Sequence, residues 1–519
     1  MQSTHPTDPD LKPHGGEQGA DICLLFWAVL ATGMAGGLGW GIRGQFGHES
    51  GAMIAGALTS FTLILLFAPR VSALKAARAV AWMTVAIGIG GSMTYGQTIG
   101  LTHDHEIHRT LDGQLNGNSE AMRWGMIGLF IKGGIWIGFG GLLLGMGLGG
   151  KQYRVREMCG VMAGALALMV LGIWLINSPF DPENKILPWI YFSDDWYFEP
   201  LRDLKPRPEV WGGFLLALIG MAVYARFKRK DRLAGRMVIV GFIAGGIGFP
   251  AGQFVQVLNA WHPELFREHG ALGLFSDFTG GFNWWNTMET TFGFIFGAIL
   301  AFGLWLNRHL IAIEETPEEV TISPRWEIGL FLAHMTLVLV SEFLRVEGWG
   351  AELEFYIEYG PLLACLPLIA IAGGRLWPYL MLFPMVAAPI VGKALRQLCY
   401  RSDNWSLASG WLLLVVIPAL LLIGLAVWLI HRSRKGQTAK SFAGIGLIVT
   451  AWFYFLVNSS FFGVSWPWND ERTWSSNQWI FFVFTLGLTA TAIARVIQRP
   501  SPDPGGKAAE DSLHKKAAR

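Results

Sequence analysis

Apolar residues in this chain collect into long runs that recur from Ile22 to Arg495, separated by short polar connections. Each run approaches the roughly 20 residues that an α-helix needs to cross the hydrocarbon core of a bilayer. The runs predict fourteen spans, near 22–42, 51–68, 79–101, 124–149, 158–177, 210–225, 237–258, 284–306, 327–343, 357–373, 376–394, 407–430, 442–458 and 478–495. The expected fold is therefore an all-α polytopic integral membrane protein of about fourteen transmembrane helices. Polar stretches divide it into a disordered cytoplasmic tail at 1–21, an N-terminal bundle of about eight helices at 22–306, a cytoplasmic linker at 307–326, a C-terminal bundle of about six helices at 327–497, and a second disordered cytoplasmic tail at 498–519.

Charge in alternate loops supports that count. Arg70, Lys75 and Arg78, then Lys151, Arg154 and Arg156, then the run from Arg226 to Arg236, and later Arg432, Arg434, Lys435 and Lys440 fall in one set of loops, which the positive-inside rule places in the cytoplasm. The other set is acidic and aromatic, as in IYFSDDWYFEP at 190–200, NWWNTME at 283–289 and SWPWNDERTW at 465–474. Both termini then lie in the cytoplasm, and the expected location is the cell (inner) membrane. The loop 395–406 runs against this pattern, since it should be outside yet carries Arg396 and Arg401.

Composition narrows the partners. The chain has 519 residues, 52% hydrophobic and only 15% charged, with a formal net charge of +2. A lipid bilayer is the expected surrounding, and nothing suggests nucleic acid. The four cysteines show no CxxC or Cys/His ligand spacing, no P-loop occurs, and no cofactor is expected. The sequence leaves oligomeric state open.

An internal helical-hairpin repeat is visible. GGLGWGIRGQF begins at Gly36, GGSMTYGQ at Gly90 and GGIGFPAGQF at Gly245, each near the outer end of a span. A single offset of 156 residues carries Gly90, Gly96, Gln97, Gly141, Gly147 and Leu148 onto Gly246, Gly252, Gln253, Gly297, Gly303 and Leu304. Both hairpins run in the same direction, so the repeat is parallel. Small residues also serve simply to let membrane helices approach. A glutamine in hydrocarbon needs a partner, however, and neighbouring glycines expose backbone or let a helix break. Gln45, Gln97 and Gln253 are thus candidate contacts to a solute in a cavity opening outward.

Ionisable residues at membrane depth are functional candidates because a charge at the bilayer centre costs at least about 2.5–3.5 kcal/mol. Arg43, His48 and Glu49 crowd into GIRGQFGHESG between two spans; they pair structurally across a tight turn, or they bind substrate or protons. Glu289 begins the eighth span and Lys132 lies in the fourth, which makes a Lys132–Glu289 pair across the repeat an expectation. His103, Asp104, His105, Glu106 and His108 offer imidazole and carboxylate ligands to a metal ion, or act as proton or substrate contacts, or form a solvated loop. Glu342 and Arg345 pair along one helix face, and Lys393 and Arg396 read as snorkelling groups.

Two functional readings use the same cavity. The first is a secondary active transporter of a small polar solute, in which His48 and Glu49, with Glu289 as a further candidate, link binding to proton movement. The second is an integral membrane glycosyl- or acyltransferase acting on a lipid-linked or polar substrate at the outer face, with Asp104, Asp194 or Asp195 as acid/base or metal ligand.

Overall fold

A computed structural model describes residues 15–46, 48–91, 95–105, 119–177, 210–267, 273–274, 281–313, 320–343, 355–401, 405–461 and 474–497. Among these residues the chain is helical, without strands, and eleven helices are long and apolar enough to cross a membrane. The chain is an all-helical, multi-pass membrane protein. Helices dominate because a segment in lipid has no water to satisfy its peptide groups, and the helix satisfies them internally.

Six helices close into a ring. In chain order they are α1 (Gly15–Arg43), α2 (His48–Phe67), α3 (Ala73–Gly91), α5 (Ser119–Leu148), α8 (Arg232–Trp261) and α9 (Trp284–Asn307), and α9 packs back onto α1. A short helix, α4 (Gly96–His103), packs on α5 and α8. Outside the ring lie α6 (Val155–Gly172) and α7 (Trp211–Val223), which pair with one another, then α10 (Pro324–Phe343), α11 (Phe355–Gly373), α12 (Trp377–Arg401), α13 (Leu407–Arg434), α14 (Ala439–Phe461) and α15 (Ser476–Ile497). In α2, 89% of the apolar window is buried, against 11% in the stretch Val155–Ile176, so α6 faces outward and α2 is core. The helices α7, α10 and α11 fall on the three apolar runs that the eleven long helices leave over.

Glycine makes the ring's tightest crossings. A methyl group on Gly245 of α8 would stand 1.9 Å from the Gly133 carbonyl oxygen of α5, and one on Gly133 would stand 2.3 Å from that of Gly245. The α1–α9 crossing is alike: a methyl on Gly36 would stand 2.1 Å from the Gly293 oxygen, and one on Gly293 2.2 Å from the Gly36 oxygen. Lipid is as apolar as leucine, so membrane helices associate through close packing, and missing side chains let their backbones touch. Aromatic rings fill the ring's interior, with Trp40 against Trp136 at 4.8 Å between centroids and Phe249 stacked on Phe292 at 4.5 Å.

Helix α1 begins at Gly15, inside the stretch that reads as a tail. Helix-favouring Glu17, Gln18 and Ala20 extend it, and an ion pair of 2.6 Å from Asp21 to Arg308 ties its start to the end of α9. The C-terminal tail from 498 and the acidic, aromatic segments 190–200 and 465–473 lie outside the described residues.

Gly245→Val should therefore destabilise the chain by roughly 1–3 kcal/mol or more through overpacking. Gly160→Val on α6, where nothing lies within 4 Å of the new side chain, should be tolerated. Thermal unfolding of the purified variants, followed by size-exclusion profile, checks the contrast, and equal losses would contradict the crossing.

Candidate functional site

The end of the ring that carries the glutamine elements holds Arg43, Lys132 and Glu289, all buried. There α1 gives way to a 3-10 turn, Gly44–Phe46, before α2 starts at His48, and α3 stops at Gly91 before α4 starts at Gly96. The first two glycine–glutamine elements thus coincide with breaks in helix, as glycine permits. The third does not: α8 runs unbroken through Gly252, Gln253 and even Pro250.

Arg43 and Glu289 form an ion pair of 3.2 Å, with their side chains 1% and 0% exposed. Glu289 begins within the first turns of α9, which Asn283 caps by accepting from the Trp285 and Asn286 amides. Its Oε1 also accepts from the Tyr95 hydroxyl at 2.9 Å and from Trp285 Nε1 at 3.2 Å. Arg43 Nη2 donates to the Tyr95 hydroxyl. Its guanidinium lies over the rings of Tyr95, Trp40 and Trp136, at 5.1, 5.3 and 5.6 Å from their centroids. All the described partners of the carboxylate thus converge on Oε1. Glu289 Oε2 has no hydrogen-bond partner among the described residues, and it lies 3.1 Å from where a methyl group on the exposed Gly44 would sit.

Helix α4 supplies the next polar contacts. Thr98 and Thr102, four residues apart, share one face. Lys132, fully buried in α5, donates from Nζ to Thr98 Oγ1 at 2.5 Å. Gln253, also fully buried, donates from Nε2 to Thr102 Oγ1 at 2.8 Å, and Trp261 Nε1 donates to the Thr102 carbonyl at 3.2 Å. His103 Nδ1 stands 3.0 Å from the Ile99 carbonyl oxygen and 3.3 Å from Gln253 Nε2, so one tautomer donates to the first and the other accepts from the second. Burial holds the His103 imidazole below its ordinary value, which favours the neutral ring that such a choice requires.

The structure therefore brings together Arg43, Glu289, Lys132 and Gln253 around residues 95–103, but with different pairings from those expected. Glu289 takes Arg43 as its ionic partner, not Lys132, because the α1–α9 crossing puts their helix ends side by side. Lys393 does not simply snorkel: its Nζ donates to the Phe46 carbonyl at 2.6 Å and to Ser50 Oγ at 3.2 Å, beside the break after α1. Gln45 is half-buried in that turn. His105 stacks on Trp261 at 4.4 Å. Asp104, half-buried, ends α4, its amide donating to the Gly100 carbonyl. Among the described residues no three His, Cys, Asp or Glu side chains gather as metal ligands.

For His48, Glu49 and Gln97 the structure describes the backbone alone, and Glu106, His108, Asp194, Asp195 and Arg345 lie outside the described residues, as does the Glu342 side chain. Tyr95, Thr98, Thr102 and Trp136 are site residues that the sequence reading passed over. A tyrosine hydroxyl inside GGSMTYGQ, followed by threonines four apart, was the available signal.

Comparison with known proteins finds no family model, no curated protein and no solved structure that matches this chain. The site must be read from its own geometry.

Removing one member of a buried ion pair leaves the other charge uncompensated, which costs about 3–5 kcal/mol, whereas removing both costs much less. Arg43→Gln and Glu289→Gln should each lower thermal stability sharply, and the double variant should recover much of the loss. A double-mutant cycle on melting curves reads the coupling, and additive losses would show that the pair does not interact.

Proposed function

We propose that this protein is a secondary active transporter of a small polar solute, with Arg43 and Glu289 at its binding and coupling site. One observation carries the reading: a fully buried carboxylate keeps one oxygen without a described partner directly beneath the break in α1. Transporters commonly place their sites where helices are interrupted near membrane depth, because interrupted backbone exposes polar groups and allows rearrangement. Glu289 has the chemistry to exchange a proton, and Arg43 the charge to receive a carboxylate or another acceptor when that pair opens. His48 and Glu49, at the start of α2, flank the same break and extend the proposed path outward.

The proposed topology has fourteen spans, with α7, α10 and α11 joining the eleven long helices, both termini in the cytoplasm, and the cell (inner) membrane as location. Basic loops collected at the end opposite Glu289 favour that orientation. The proposed repeat pairs α3 and α5 with α8 and α9. Its support is a likeness between crossings: a methyl on Gly141 would stand 2.2 Å from the Met237 oxygen on α8, and one on Gly297 2.2 Å from the Thr32 oxygen on α1.

Reconstitution into proteoliposomes with a pH gradient, screened with pooled small polar solutes, tests the function. Uptake should follow the gradient, and Glu289→Gln should lower it by about tenfold or more, equivalent to ~1.4 kcal/mol. Absence of flux together with product formation from lipid-linked donors would replace transport with the membrane-transferase reading and its candidates Asp104, Asp194 and Asp195.

A further inference from the structure

A second charged feature lies at the other end of the bundle. A cavity of about 400 Å³ opens there, within the range of small-molecule sites. Lys75, Arg78 and Arg375 are half-buried in its lining, and Arg70, Lys151, Arg154 and Arg434 are exposed around it. Ser72, Gln152 and Thr438 add hydrogen-bonding groups. Among the described residues no carboxylate lines it.

Membrane topology explains basic residues in these loops but not their convergence. Arg70, Lys151, Arg375 and Arg434 come from four connections far apart in sequence, and backbone hydrogen bonds tie each of these connections to another part of the chain. Ala73 donates to the Gln437 carbonyl at 3.0 Å, Ala439 to Val71 at 2.8 Å, Ala312 to Leu148 at 3.0 Å and Thr321 to Gly373 at 2.9 Å. Two of the cations are themselves anchored to this frame, Lys75 Nζ on the Ala312 carbonyl at 2.6 Å and Arg78 Nη2 on that of Gly374 at 3.0 Å. Seven cations line one preformed hollow, so a single multivalent anion entering it would meet several of them at once.

We infer that this cavity binds a phosphate-bearing ligand through Arg70, Lys75, Arg78, Arg375 and Arg434. Phosphate is favoured over a lone carboxylate because several oxygens can be met at once by guanidinium groups arriving from different loops. Two sources share that chemistry, a soluble phosphorylated compound and an anionic phospholipid headgroup, since basic hollows between membrane helices also take headgroups. The site is separate from Glu289 and does not depend on the transport reading.

The full chain in phosphatidylcholine nanodiscs, titrated calorimetrically with inorganic pyrophosphate, should show saturable binding. In parallel, native mass spectrometry of protein purified from discs containing phosphatidylglycerol should show retained lipid if a headgroup is the occupant. Saturation by pyrophosphate without lipid retention assigns a soluble compound, retention without saturation assigns a headgroup, and both uphold the site. The exposed pair Arg70→Gln/Arg434→Gln, with an unchanged size-exclusion profile, should weaken whichever response occurs by about tenfold, and adding Arg375→Gln should weaken it further. Neither response, or a response equal in the variants, would overturn the proposal. Pyrophosphate binding seen only after Glu314, Glu315, Glu318 and Glu319 are replaced by glutamine would overturn it too.

Discussion

Direct contact between helix backbones, at glycines that leave no side chain between them, is the constraint on which the rest of this structure rests. Within lipid there is little hydrophobic gain in bringing two apolar helices together, so stability must come from how closely they fit. Gly36 with Gly293, and Gly133 with Gly245, draw α1 to α9 and α5 to α8 closely enough to close the six-helix ring. That closure gives the ring one end where α1, α4, α5, α8 and α9 can share polar side chains. Bulkier residues at the crossings would separate the helices and take Arg43 away from Glu289.

The two ends of the protein are electrostatically unlike. Near the glutamine elements Arg43 is buried against Glu289, with Tyr95 and Trp285 donating to the carboxylate and aromatic faces around the guanidinium. A buried pair of this kind seldom adds net stability, because desolvating two ions offsets their attraction. Its position under a helix break accords with the transport role proposed above. At the opposite end seven cations, half-buried or exposed, line one cavity from loops and helix ends that backbone hydrogen bonds hold in place, and Asp231 lies buried close by as the cap of α8. That lining accords with the phosphate-bearing ligand inferred for the cavity.

The residues around α4 show how a site is assembled from parts that are individually ordinary. Thr98 and Thr102 are common helix-face residues, and each becomes specific through what reaches it: Lys132 from α5 and Gln253 from α8. His103 adds a ring whose single Nδ1 faces two possible partners, so its tautomer is coupled to the Gln253 amide. Such groups satisfy one another while the site is closed. Their partners would have to be replaced, by water or by solute, whenever it opened.

Long apolar runs were enough to identify a multi-pass helical membrane protein, because the absence of water in lipid leaves a continuous helix as the simplest way to satisfy backbone polar groups. The same economy made Arg43, Lys132, Gln253 and Glu289 conspicuous: polar groups inside such runs need a reason to be there. Their partners were not legible. An apolar run specifies that a helix exists and which residues it carries, but not which neighbour it meets, since lipid-facing and helix-facing surfaces are chemically similar. Hence Glu289 was matched to Lys132 through the repeat, while the α1–α9 crossing delivers Arg43. Hence, too, the basic loops were readable as a topology signal and only the tertiary structure gathered them into one cavity: loop charges are placed by sequence, whereas their convergence depends on how helices pack and on bonds such as Ala439 to Val71 that join distant turns.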